Sequence, residues 1–324
     1  MPLSKEDFNT LTTLCPIPQT FSEIILPAGN SVNHVLQFTG LPPFTNETIP
    51  LTFGNQASFL TEHNTQILRA MRVPPIRQLN DLLEGGIDAF RKGSSTVQYP
   101  SPTPGSVPGA VGHISFPLWI ILWWCEIQEI SEAKSSWTDA FAFLDGLSQK
   151  YPLVQKLNTQ IHTLPWNTEL PSALGGNTMT SAMTTTTLAY YCSRKWLKTL
   201  HLEQMCAILR QRLRVAGIER VHIADPEFFR SIINKYRHAD DNEYFTNSLR
   251  LADGSLSSLA FPVCMLSDHG KVFLPNEGSD SYSLPGNHWT SIVIDASEGQ
   301  VYYADSFSLP LPAEAVDVLH WWLK

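Results

Sequence analysis

The stretch Gly286-Asn287-His288-Trp289-Thr290-Ser291-Ile292-Val293-Ile294-Asp295, followed by Val301-Tyr302-Tyr303-Ala304-Asp305-Ser306, most constrains what this chain can become. Two runs rich in β-branched and aromatic residues flank the polar segment Ala296-Ser297-Glu298-Gly299-Gln300, the pattern of a β-hairpin. His288 opens the first run and Asp305 closes the second, so antiparallel pairing sets them side by side. An imidazole is a general base near neutral pH, and a carboxylate on its other nitrogen fixes the tautomer and stabilises the imidazolium. A histidine and aspartate so placed are two members of a nucleophile-activating triad. Trp289, next to the histidine, is expected to shield the pair from water. The competing reading is a surface histidine at a strand start and an aspartate in an Asp-Ser turn.

Composition narrows the class. The chain has 324 residues, 43% of them hydrophobic and 16% charged, which describes a globular protein of one large or two ordinary domains. A net charge of −8 opposes broad nucleic-acid binding, which needs clustered lysine and arginine. The most apolar run, Phe116 to Cys125, falls short of the ~20 residues that span a bilayer. The N-terminus has neither a basic start nor an apolar run, so no secretion signal is read there and no membrane partner is expected. The five cysteines show no CxxC or zinc spacing, which suits reduced thiols in the nucleus or cytoplasm. No cofactor or metal is implied. A metal site built from His288, Asp305 and His320 lacks evident partners.

The chain reads as three regions: 1–110, 111–187 and 188–324. Residues 1–60 carry scattered Pro, Thr and Asn without periodicity. Helical pieces follow at Glu62–Met71 and Ile76–Phe90, the second with Leu79, Leu82, Leu83, Ile87 and Phe90 spaced for one face. The Pro/Gly/Ser-rich stretch 93–112 reads as a linker. Region 111–187 holds a helix from Pro117 with Trp119, Trp123 and Trp124. A second helix, Ala140–Leu147, is introduced by Ser135 to Asp139. The tryptophans, Trp137 included, lack interleaved basic residues and read as core rather than as a base-stacking platform. The Gly/Asn/Ser/Thr-rich 165–187 is a second linker. Region 188–324 holds a helix, Leu200–Arg214, with His201, Leu202, Met205, Ile208, Leu209 and Leu213 on one face and Gly217 as its C-terminal cap. A strand at Val221–Ala224 and a helix at Phe228–Tyr236 follow. Strands at Leu259–Leu266 and Lys271–Leu274 come next, then the hairpin. The last helix starts at Ala313 and turns Ala315, Val318, Leu319 and Trp322 inward. The chain stops at Lys324 within that helix, the expected signature of a truncated product or fragment.

These residues carry a resemblance. His288-Trp289, Ser291 to Asp295, and Val301 to Ser306 resemble the Ulp1/SENP-type cysteine peptidases specific for ubiquitin-like proteins. In that family a His-Trp opens one strand and an Asp-Ser closes the next. Trp196-Leu197, followed by a helix with Gln204-Met205 and Leu209, looks like the Trp-Leu start of the family's catalytic domain. The likeness covers about residues 190–324. It is greatest to the divergent fungal, transposon-associated forms, which carry a Trp-rich helical region upstream like 114–150. It implies an α+β, papain-like core, here incomplete, behind a loop-rich and largely helical N-terminal region. It implies hydrolysis of a peptide or isopeptide bond at the C-terminal Gly-Gly of a ubiquitin-like, SUMO-like modifier or its conjugates. By that resemblance His288 is the general base, Asp305 its orienting carboxylate, and Trp196 and Trp289 flank the channel for the Gly-Gly tail.

The departure is the nucleophile. The family's Gln and Cys-Gly lie some tens of residues beyond the aspartate, and no residue follows Lys324 here. Cys264 sits in the strand-like run Phe261–Leu266 rather than at a helix N-terminus, where a dipole would acidify it, and reads as a buried inert thiol. Cys192 precedes Ser193-Arg194-Lys195 but lacks other support, and Cys15, Cys125 and Cys206 read as core or loop. The expectation is a peptidase whose nucleophile lies outside these residues, so that this chain alone is inactive. The alternative is a catalytically inactive, truncated or degenerate protease-like protein acting as a binding module.

Overall fold

The computed structural model describes residues 3–100, 113–170, 184–195, 197–238, 255–268, 271–274 and 287–323. The chain divides into two compact units, Met1–Asn167 and Thr168–Lys324, and mixes α and β.

The first unit opens with three helices that lacked a periodic signature in sequence: α1 (Lys5–Leu14), α2 (Gln19–Ile25) and α3 (Val32–Gln37). Caps define two of them. The Ser4 side chain accepts from the Asp7 N–H and the Ser31 side chain from the His34 N–H. After β1 (Thr52–Gly54) come a short α4 (Ile67–Ala70) and α5 (Ile76–Arg91), which buries Leu79, Leu82, Leu83 and Ile87 as their spacing predicts but leaves Phe90, at its last turn, exposed. Strands β2 (Thr96–Pro100) and β3 (His113–Pro117) pair antiparallel in a sheet ordered β1-β2-β3.

The boundary expected near 110 therefore falls inside this unit, because strands on either side of it pair residue for residue and bury Val97, Tyr99, Ile114 and Phe116 together. Of the Pro-rich linker, 101–112 lie outside the described residues. The two helices expected over 116–150 are one, α6 (Ile120–Ser148), followed by α7 (Pro152–Thr163). Ser135-Ser136 does not break it, since neither residue removes a backbone donor and Ser136 and Trp137 are buried. The Thr138 hydroxyl bonds the Lys134 carbonyl, so its polar group is satisfied within the helix. Trp123, Trp124 and Trp137 are fully buried, as core residues should be.

The second unit begins with a bridge between Glu169 and Thr184, and 171–183 of the expected second linker lie outside the described residues. After α8 (Leu188–Tyr191) and α9 (Thr199–Val215) come β4 (Val221–Ile223), α10 (Glu227–Arg237), β5 (Ser258–Asp268), β6 (Lys271–Phe273), β7 (Asn287–Asp295), β8 (Gln300–Asp305) and α11 (Ala313–Trp322). The expected polar loop after α10 falls mostly outside the described residues. The sheet runs β4-β5-β7-β8, with β6 also on β5. Only β4 and β5 among these pairs are parallel, joined across α10. Its core joins Leu259, Phe261, Val263 and Met265 of β5 with Ile292 and Ile294 of β7. Phe229, Ile232 and Ile233 of α10 and Ala315, Val318, Leu319 and Trp322 of α11 complete it.

Helix α9 corrects one expectation. Met205, Ile208 and Leu209 are 44%, 37% and 45% exposed, whereas Thr199, His201, Glu203, Gln204, Cys206 and Ala207 are buried. Polar ties decide its rotation. The Tyr191 hydroxyl bonds the Gln204 side chain and the His201 carbonyl, and Arg210 bonds both the Ile223 carbonyl and Asp225. Gly217 ends the helix at φ +69, the left-handed position its sequence promised.

Candidate active site

The β7–β8 hairpin is set by its turn. Asp295 Oδ1 accepts the N–H groups of Ser297 and Glu298 at 2.9 and 3.1 Å, and Gly299 takes a φ of +65. The register follows, with Asp295 opposite Gln300 and Thr290 opposite Asp305. Side chains alternate along strands, so His288, Thr290 and Ile292 share a face with Tyr303 and Asp305. On the other flank of β7, Met265 of β5 pairs with His288 on that same face. A one-residue slip would send Asp305 to the opposite face.

The two ends meet as the hairpin pattern predicts. His288 Nε2 lies 2.5 Å from Asp305 Oδ2, and the two side chains are only 2% and 1% exposed. The Tyr303 hydroxyl donates to the same oxygen at 3.0 Å, and the Phe307 N–H donates to Oδ1 at 2.6 Å. The Ser308 N–H closes a turn onto the Asp305 carbonyl at 3.1 Å, and Ser308 itself sits at φ +57. That left-handed, non-glycine residue carries strain of the kind that gathers at functional sites. The turn lays the Phe307 ring on His288, with centroids 4.8 Å apart and planes 13° from parallel.

Electrostatics assign the protons. Burial pushes the Asp305 carboxyl up, but hydrogen bonds from His288, the Phe307 N–H and Tyr303 outweigh it and hold it below the ordinary carboxylate value. An ionised carboxylate only accepts, so Nε2 carries a proton. Nδ1 is buried and has no hydrogen-bond partner among the described residues. In the neutral imidazole that atom holds the lone pair, ready to take a proton. Burial, with the Asp305 carboxylate that accepts its proton, raises the Tyr303 hydroxyl to about 12, so it remains a donor at neutral pH.

Trp289 does not cover the pair. It stands opposite Cys264 on the other face of the sheet, because neighbours along a strand point apart. Phe307 supplies the cover instead, from the turn after β8. The Trp289 indole N–H bonds the Leu197 carbonyl at 2.9 Å, tying the strand to the residue that follows Trp196. Trp196 itself lies outside the described residues.

The five thiols are free, and none is acidified. Burial raises Cys264 and Cys206 to about 11, and raises Cys15, Cys192 and, most of all, Cys125. Cys264 is also on the wrong face for His288. Among the described residues no three His, Cys, Asp or Glu side chains converge as a metal set, and no helix is long and apolar enough to cross a membrane.

Sequence reasoning missed Tyr303 and Phe307. The first was legible, because two positions before the aspartate is the nearest same-face position on its strand. The second depends on a turn whose left-handed residue is a serine, which no sequence signal marks. No protein-family profile and no curated protein sequence matches the chain.

Proposed function

We propose that the second unit carries the base and orienting carboxylate of a papain-like, Ulp1/SENP-type cysteine peptidase acting at the C-terminus of a ubiquitin-like protein. The observation that carries this reading is the buried His288–Asp305 pair with Nδ1 left unpartnered among the described residues. Seven buried side-chain polar atoms lack a partner among the described residues, His162 Nδ1 and His201 Nε2 included, and what sets His288 Nδ1 apart is that its ring is held by a buried carboxylate. A thiol is the partner this reading supplies. His288 Nδ1 would take the thiol proton as the sulfur attacks the carbonyl carbon, and would return it to the departing amine. Asp305 would hold the ring and stabilise the imidazolium between those steps.

On this reading none of the chain's own cysteines is the nucleophile, since all five are raised in pKa and Cys264 faces away. By the resemblance Trp289, tied to the segment that bears Trp196, would contact the Gly-Gly tail, from the sheet face opposite His288. We place its action in the nucleus or cytoplasm, where such conjugates occur. The second reading, an inactive module that binds a ubiquitin-like partner, is favoured by those same raised thiols.

The test uses a SUMO-type protein bearing a C-terminal fluorophore. The chain alone should bind it, less tightly as Trp289→Ala, and release no fluorophore. Turnover by the chain alone that vanishes in His288→Ala would make one of its own cysteines the nucleophile. No binding to SUMO- or ubiquitin-type proteins would overturn the substrate class. Restored turnover when a downstream Gln and Cys-Gly segment is supplied selects the enzyme over the binding module.

A further inference from the structure

We infer that Tyr303 is a positioning residue, locking the Asp305 carboxylate so that Oδ2 is presented to His288 Nε2. This builds on the reading of His288 as a base, but its test needs no substrate. Three donors meet the carboxylate from three directions of the fold: His288 from β7, Tyr303 from β8 and the Phe307 N–H from the following turn. Two of them share Oδ2, so that oxygen faces both the imidazole and the phenol. With Oδ1 bound to backbone, the carboxylate is held at both ends and cannot rotate about its last torsion without breaking a charge-assisted hydrogen bond.

Tyr303 is suited to this because strand geometry fixes it. It is two residues before Asp305, on the same face, half-buried and packed against the core where it pairs with Ile292 of β7. Its hydroxyl has two further neighbours, the Thr290 side chain and the Met265 sulfur at 3.9 Å, a weak acceptor that leaves the carboxylate as the preferred one. The titratable groups in contact with Asp305 are His288 and Tyr303. Phenylalanine at 303 would keep the ring packing and delete the hydroxyl, with its bond to Asp305 and its contacts to Thr290 and Met265, and of these only the bond to Asp305 acts on the carboxylate.

The experiment is an NMR titration of the whole chain labelled at Asp carboxyl carbons and imidazole nitrogens. In Tyr303→Phe the Asp305 carboxyl should titrate about one pH unit higher, about tenfold in its acid constant, because a hydrogen bond to the charged form is lost. The fraction of His288 carrying its proton on Nε2 should fall with it. Phe307→Ala, which keeps the backbone N–H, should move the carboxyl much less. An unchanged carboxyl titration in folded Tyr303→Phe overturns the inference. So does an equal shift in Phe307→Ala, which would make water exclusion the cause. If Tyr303→Phe does not fold, the wild-type chain decides: the Tyr303 ring carbon bearing oxygen should follow the Asp305 titration, and a flat signal overturns the inference. These readings stand or fall without turnover, so they separate from failure of the peptidase proposal.

Discussion

Asp305 shows how one side chain can make acid sensitivity local. Its carboxyl is held below the ordinary value, and an unfolded aspartate titrates near about 3.9. The folded state therefore binds its proton less readily than the unfolded state. Its stabilising contribution is fully present above that unfolded value and is lost as pH falls through the lower folded one. Asp305→Asn should accordingly cost stability at pH 6 to 7, with the gap to wild type closing below about pH 4. Urea midpoints measured across pH for both proteins check this, and a gap that widens in acid would refute it. At this scale His288 and Asp305 were legible in the sequence because the hairpin's alternation and turn residues lie within one continuous stretch. The shielding expected of Trp289 fails, since adjacency in sequence on a strand means opposite faces in space.

At the scale of elements, local chemistry decides ends and tertiary ties decide rotation. Gly217 and Gly146 make the contrast measurable. An added Cβ meets nothing within 4 Å at either, so space is not the issue. Gly217 needs φ +69, whereas Gly146 lies within α6. Gly217→Ala should therefore destabilise by about 1 kcal/mol and Gly146→Ala should stabilise by about 0.5–1 kcal/mol. Denaturant midpoints of the two variants should move in opposite directions, and a shift of the same sign would sink the argument.

The bounds of α5 and α9 to within one residue, and the start of α11, followed from apolar spacing and from Gly217 after α9, whereas α11 ends at Trp322 rather than running to Lys324. The rotation of α9 did not. Its apolar stripe of Met205, Ile208 and Leu209 reads as a buried face, yet hydrogen bonds from Tyr191 and Arg210 hold the polar side inward. Side-chain bonds to partners outside the helix are invisible to a periodicity argument.

Over the whole molecule, the two hydrophobic cores draw on separate stretches of chain, Leu11 to Ala133 in one and Ala224 to Trp322 in the other. Trp124→Ala removes a fully buried side chain from the first, at a cost of about 3–5 kcal/mol. Hydrogen exchange should quicken in α5 and α6 while β5 and β7 keep their wild-type protection. Equal loss of protection in both units would mean that they unfold as one. The division at 167/168 was not legible as such, because the sequence signals linkers by composition. A Pro-rich stretch can instead connect two paired strands of one sheet, as β2 and β3 do.

By itself the sequence determined where the second unit's strands and closing helix run, which face of that helix is buried, and that a histidine and an aspartate meet at the end of a hairpin. These follow from side-chain period, caps and turns, all of them short-range. Only the tertiary structure decided that the pair is buried, that Phe307 rather than Trp289 covers it, that Tyr303 shares its carboxylate, and that Cys264 is turned away. Each of those depends on strand register and on a turn closed by a left-handed serine, and so on groups brought together across the sheet rather than along the chain.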